Sequence, residues 1–471
     1  MQFTTLAYAK FFALAFVVTW LCARFRVLRL TFLLGASYFF YAQSGVSFLA
    51  LIFACSTADF LLSHAIDRAQ GQSQRKAWLA LTVVMNLGVL AYFKYAKFGV
   101  DTALAAFEAM GVSVPAPALS IALPVGISFF TFESMSYVID VYRKELPPHA
   151  SYLEYLTFVA FFPHLVAGPI VRPRDLLPQL ARPPVWQEGE ASSALLLIAT
   201  GLFKKLAIAD YLALNLVDRV FDAPTQYSAL ECYVAMVGYA VQIYGDFSGY
   251  TDIAIGSAAL LGVRFPPNFA APYQAHDIVD FWRRWHISLS TWLRDYLYIP
   301  LGGNRRGSLR TYANLIATMV LGGLWHGPSW TFVVWGALHG VALACNRAWR
   351  ERYGDVLRNK LLLRVLSTFV TFQFVILAWV FFRAHTFRDA RALFGELLTF
   401  STYHPNLDPR VLWVLAFGLA AHFLPLELEA KLRVRFGALP GIVQGVALFA
   451  VLLLVRRMAS AEAVPFVYFQ F

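Results

Sequence analysis

Apolar residues in this chain run in blocks close to twenty long, separated by short polar stretches rich in arginine. A helix needs about twenty mostly apolar residues to cross the hydrocarbon core of a bilayer. The blocks predict spans near 6–22, 27–42, 46–63, 77–93, 119–139, 152–170, 191–217, 229–262, 312–345, 364–382, 411–426 and 439–455, the longest two being long enough to split or bend. This pattern predicts an all-α polytopic membrane protein with about ten to twelve crossings, plus interfacial or re-entrant helices. The polar interruptions at 172–192, 265–280, 302–310, 347–360 and 383–410 are loop-sized, and no repeat or low-complexity stretch breaks the pattern. One membrane domain over 1–471 is therefore expected, with specificity carried by the segments between helices.

Composition strengthens the membrane reading: of 471 residues 59% are hydrophobic and only 14% charged, far from the balance of a soluble protein. Arg24, Arg26 and Arg29 fill the first loop, the second carries no charge, and Arg68, Arg75 and Lys76 fill the third. By the positive-inside rule the N-terminus lies outside. The same rule and headgroup contacts account for the net charge of +11. Arginines scattered over many short loops do not make the single basic face that nucleic acid requires. The apolar stretch from Phe11 to Cys22 lacks a basic leader and a small-residue cleavage site, so it reads as a retained helix. Cys22, Cys55, Cys232 and Cys345 sit singly and read as small core residues, not as a disulfide framework or metal site.

Signatures of nucleotide-binding loops, dinucleotide folds, zinc proteases and serine hydrolases are absent from the sequence. What stands out instead is two histidines, His286 and His326, in stretches suited to lipid or its interface. A titratable ring at membrane depth is costly and marks a polar cavity, chemistry or transport. Around His286 the spacing predicts one helix, with Trp282, Trp285, Leu289, Trp292 and Tyr296 on an aromatic stripe and Arg283, His286, Ser290 and Arg294 on another side. Stripe and arginines alone equally describe an interfacial belt with snorkelling side chains. His326 precedes Gly327 and Pro328, a step that breaks a helix and exposes polar groups. A histidine there suits a general base, and equally a hydrogen bond to a freed carbonyl.

Asp246-Phe-Ser-Gly-Tyr-Thr-Asp252, Trp282-Arg-Arg-Trp-His286 with Tyr296-Leu-Tyr-Ile-Pro-Leu-Gly-Gly303, and Gly323-Leu-Trp-His326-Gly together resemble the membrane-bound O-acyltransferase family. Phe161-Phe-Pro-His-Leu-Val-Ala-Gly-Pro-Ile-Val-Arg172 and Pro465-Phe-Val-Tyr-Phe-Gln-Phe471 are most similar to its bacterial alginate O-acetylating branch. The likeness is densest over 124–180 and 239–340. It implies helices around a central tunnel, a thioester donor (acetyl-CoA or an acyl carrier) entering from the cytoplasm, and an acceptor hydroxyl from the other side or the lipid. It implies His326 as the catalytic histidine and His286, where many members carry asparagine or histidine, as the second site residue. It also implies a bacterial inner-membrane location, an extracytoplasmic acetyltransferase partner and exopolysaccharide machinery, with no bound cofactor.

In that frame a near-neutral imidazole takes the hydroxyl proton as oxygen attacks the thioester. His286, with Ser290 or backbone amides, would position the acyl group or stabilise the oxyanion, a contact worth roughly 3 kcal/mol. Asp246, Ser248, Tyr250 and Asp252 are candidates for the tunnel wall, although two acids six apart suit the neutralising of arginines better. His164, before a Gly-Pro bend, lines a substrate path or caps a broken helix. His339, in a Gly-rich apolar helix, reads as packed and hydrogen-bonded. Arg283, Arg284, Arg305 and Arg306, the last two in the loop Gly302–Gly307, are candidates for donor phosphates, and positive-inside topology explains the same charges. No histidine, cysteine or carboxylate cluster has metal-ligand spacing. Two other functions fit the sequence: D-alanyl transfer from a carrier protein to a cell-envelope polymer, and transport of acyl or glycan intermediates along a histidine proton path.

Overall fold

A computed structural model describes residues 1–354, 361–459 and 464–467. Every regular element among them is helical. They divide into two compact units, one of residues 1–187 with 257–266 and one of 188–256 with 267–471. Five helices are long and apolar enough to cross a membrane, six if Pro409–His422 and Leu426–Gly437, bent by 90°, count as one span. The chain is a multi-pass membrane protein by these helices. Residues 355–360 of the expected loop at 347–360, and 468–471 of the last motif, lie outside the described residues.

In the first unit, Leu6–Leu21 starts where the Thr5 side chain accepts from the Tyr8 amide, satisfying one of the orphan donors of the first turn. Arg26–Ala42, Val46–Arg68 and Gln72–Leu90 follow, each close to a predicted block. The block expected at 119–139 is helical only from Ile127 to Tyr142, because Pro117 and Pro124 lie in the extended approach and cannot donate to a helical ladder. That helix is buried on nearly every face, packed against Val46–Arg68 and Gln72–Leu90. The block at 152–170 breaks as well: Tyr152–Ala160 stops before Pro163, a single turn Phe162–Leu165 follows, and after a further turn at 166–168 the chain runs without regular structure to the next helix at Pro173.

In the second unit, Glu188–Leu202 continues through two π-helical segments, Phe203–Ala209 and Ala213–Val217, to Asp222. Ala229–Leu260 is one unbroken helix of 32 residues. The other long block splits into Ser308–His326 and Trp330–Tyr353, an antiparallel hairpin turned by Gly327, Pro328 and Ser329. Glycine sets how closely these two helices approach. A Cβ on Gly336 would lie 2.2 Å from the Met319 carbonyl oxygen, and one on Gly323 would lie 2.2 Å from that of Phe332. Small residues allow such contact where lipid supplies no hydrophobic drive between helices. Gly441–Met458, by contrast, leaves Ile442 and Phe449 exposed, as an apolar surface bathed in lipid permits.

Only Cys55 and Cys232 of the four free cysteines are buried; Cys22 is half-buried and Cys345 exposed, so the core expectation holds for two of them. Adding a side chain where the hairpin helices touch forces them apart. Gly336→Val should destabilise the protein by about 1–3 kcal/mol, the usual cost of overpacking, seen as a lower unfolding temperature in detergent. An unchanged unfolding temperature would mean that the close approach carries no load.

Candidate functional site

His326 is the last residue of Ser308–His326, so its position is fixed by the hairpin. Its side chain is buried, with Trp325, Trp335 and Phe382 around the ring at centroid distances of 5.0, 5.1 and 5.2 Å. Trp335 is brought there by the second hairpin helix, one turn into it. These walls exclude water from the imidazole.

The segment around His286 departs from the continuous helix expected of it. Ile278–Arg284 and Ile287–Leu293 are separate short helices, and His286 between them has φ +41°, a left-handed conformation uncommon outside glycine and asparagine. The break is held by Asn268. Its backbone carbonyl accepts from the Ile287 amide at 2.9 Å. Its side-chain oxygen accepts from the Ser288 amide at 3.1 Å and the Ser288 hydroxyl at 2.9 Å, and it faces His286 Nδ1 at 3.2 Å. A backbone N–H can only donate, so the Asn268 atom at this point is the oxygen. His286 Nδ1 therefore carries a proton, and a neutral ring presents Nε2 as an acceptor.

His286 and His326 meet the same indole: Trp325 lies 6.1 Å from the first ring and 5.0 Å from the second. Phe247 meets the His286 ring edge-on at 4.7 Å. The structure thus gathers the two histidines read from the sequence into one aromatic-lined site. The Ser290 amide donates to the His286 carbonyl at 3.0 Å, but its hydroxyl donates to the Trp285 carbonyl and not to the imidazole. Ser288 and Asn268 stand in the expected place of Ser290. The aromatic stripe is also not an interfacial belt: Trp282, Trp285, Leu289 and Trp292 are buried.

Asp246 and Asp252 neutralise lysines, not the arginines expected. Asp246 pairs with Lys205 at 2.9 Å and Asp252 with Lys204 at 2.7 Å. Ser248 and Tyr250 are buried on the same helix, and the Lys205 ammonium lies over the Tyr250 ring at 5.6 Å. His164, in the first unit, has Nδ1 3.0 Å from Glu133 and Nε2 3.0 Å from the Phe158 carbonyl, which ties it to the end of the broken helix. His339 is the opposite of the hydrogen-bonded residue expected. It is fully buried among Phe281, Trp282, Trp335 and Phe374, and neither ring nitrogen has a hydrogen-bond partner among the described residues.

The four arginines proposed for phosphate divide. Arg284 bonds Asp280 at 3.0 Å and the Ala270 carbonyl at 3.3 Å, whereas Arg283, Arg305 and Arg306 are exposed. Burial by itself would raise the Asp280 carboxyl, but the bond and charge of Arg284, with His276 beside it, hold it below the usual carboxylate range. Among the described residues no three histidines, cysteines or carboxylates could hold a metal ion.

A sequence model described as the membrane-bound O-acyltransferase family matches residues 33–381. A probable alginate O-acetylase of Azotobacter vinelandii is 44% identical over 382 residues, 81% of this chain and 74% of its own length. A protein of the same description from Pseudomonas putida is 36% identical over 463 residues, 93% of this chain and 94% of its own. A peptidoglycan O-acetyltransferase of Helicobacter pylori is 38% identical over 381 residues, 75% and 71% of the two chains. With two histidines gathered on one indole inside the matched region, the chain belongs to the membrane-bound O-acyltransferase family.

Proposed function

We propose that this acyltransferase moves an acetyl group from a cytoplasmic thioester, acetyl-CoA or an acyl carrier, toward hydroxyls of an exported polysaccharide of the alginate type. It does so from a bacterial inner membrane that it crosses ten to twelve times, handing the acetyl group to an extracytoplasmic transferase. The observation that carries this reading is the buried pair His326 and His286, both in ring contact with Trp325. The names of the relatives, two alginate O-acetylases and a peptidoglycan O-acetyltransferase, support acetyl over other acyl groups.

His326 acts as the base. Its neutral imidazole accepts the hydroxyl proton as the oxygen attacks the thioester carbon, and the tetrahedral species collapses by expelling the thiolate. The imidazolium returns the proton to sulfur, giving an ester and a free thiol with the ring restored. His286 contributes differently from the oxyanion donor that its sequence position suggests. With Nδ1–H turned to Asn268, a neutral ring carries no proton at Nε2, so this nitrogen cannot donate to an oxyanion and the ring's part is to line the site. Dry aromatic walls strengthen each of these contacts by lowering the local dielectric.

His326→Ala should lower acetyl transfer by about 10²–10⁴-fold, the usual share of general-base catalysis. The readout is ester-linked acetate released by mild alkali from envelope polysaccharide of a complemented deletion strain. Equal acetate from wild type and variant would remove His326 from the mechanism. Asn268→Ala strips the side-chain acceptor from His286 and from the amide and hydroxyl of Ser288, while the backbone carbonyl that accepts from Ile287 stays. It should cost about 1–3 kcal/mol of stability and reduce transfer, with thermal unfolding and acetate release as the two measurements. A variant with normal unfolding and normal acetate would show that the Asn268 contacts are incidental.

A further inference from the structure

The helix Ala229–Leu260 carries a buried charge cluster that the acyl-transfer chemistry above does not use. Lys205, on the π-helical segment Phe203–Ala209, is almost wholly excluded from solvent. Its ammonium lies 2.6 Å from Asp210 and 2.9 Å from Asp246. Its third partner is the Val464 carbonyl at 3.1 Å, so all three N–H donors have acceptors. Asp246 in turn accepts from the Val467 amide at 2.7 Å.

Two carboxyl groups face one ammonium in a site buried from solvent, so each acid needs hydrogen-bond donors from the protein itself. A backbone N–H aimed at the carboxylate meets part of that need, and charge-assisted bonds are about twice as strong as neutral ones. Segment 464–467 thus supplies both a donor and an acceptor to the cluster. Between those two contacts, Phe466 is fully buried, 4.4 Å from the Tyr250 ring and 5.7 Å from Phe247. Phe247 is the residue that meets the His286 ring edge-on at 4.7 Å.

We infer that segment 464–467 is a built-in part of the acyl-transfer site, clamped by Lys205 and Asp246 so that Phe466 backs Phe247 and Phe247 fixes the plane of His286. Lys205 and Asp246 are then positioning residues, acting through the segment and not on substrate. Clamping explains why an intramembrane lysine faces two acids, where a single carboxylate would neutralise it. It also gives residues 464–467, remote in sequence from both histidines, a direct mechanical route to one of them. The consequence for transfer rests on His286 belonging to the site proposed above; the clamp itself does not.

Val467→Pro tests this without touching a buried charge: it deletes the N–H donated to Asp246, and its ring also fixes φ and restricts Phe466 before it. Lys205→Met removes the other contact. In the full chain in detergent, with no substrate present, hydrogen exchange at the Val464 and Phe466 amides should be about tenfold faster in each variant, the effect of losing one charge-assisted bond. Acetyl transfer should fall by about tenfold through kcat, with the KM for the thioester unchanged, since tenfold in rate corresponds to the same loss. Unchanged exchange in both variants would overturn the clamp. Faster exchange with undiminished transfer would overturn its link to His286. Slow exchange in a wild-type protein that transfers no acyl group would refute the acyltransferase mechanism while leaving the clamp intact.

Discussion

Backbone groups that leave the helical ladder inside an apolar chain must be satisfied by the protein itself, and in the second unit Asn268 meets that demand. One carbonyl and one side-chain oxygen take up the donors released where the helices on either side of His286 part company. Only with those donors satisfied can His286 sit in a left-handed conformation and turn its ring inward. The aromatic packing of Phe247, Trp325 and Trp335 then has two fixed imidazoles to close around. Remove the amide oxygen and the left-handed residue loses the contacts that over-determine it, which is the condition under which strained backbone survives.

Charge obeys the same economy. Lys204 and Lys205 are neighbours in sequence, yet they meet Asp252 and Asp246, six residues apart on the facing helix. An isolated ammonium at this depth is far too costly to keep, and a paired one is tolerable only when its remaining donors are also met. In the first unit, His164 solves an equivalent problem with Glu133 on one nitrogen and a helix-end carbonyl on the other. The Phe158 carbonyl can only accept, so Nε2 of His164 is the donor to it and Nδ1 is the atom left facing Glu133.

Most of the helical architecture was legible because apolar block length and helix length are one physical quantity in lipid. The block at 46–63 became Val46–Arg68 and that at 439–455 became Gly441–Met458. Proline-bearing stretches were legible too, had Pro117, Pro124 and Pro163 been given more weight than the hydropathy around them. The break at His286 was not. Local periodicity favours a continuous helix, and the competitor is an asparagine eighteen residues upstream, whose approach no local pattern reveals. Ser290 has the expected helical spacing from His286, yet its hydroxyl bonds the Trp285 carbonyl across the break and leaves the ring to Asn268. Lys204 and Lys205 were within reach: charges in the apolar run 191–217 satisfy the reasoning applied to the histidines, and the carboxylates were credited to arginines instead.

The two π-helical segments of 203–217 have a consequence for how this protein can change over evolutionary time. Each π turn holds more residues than an α turn, so it shifts the angular phase of everything after it. Lys204 and Lys205 lie at the start of the first segment and face different acids on one partner helix. Deleting a residue where the winding is α would rotate the buried faces that follow by about 100°, since 3.6 residues make a turn, whereas a deletion inside a π turn is absorbed as that turn tightens to α. Substitutions can drift along this helix, but a change of length is tolerable only inside its two π turns, which are the places where the residue count can shift without turning the buried lysines away from their acids.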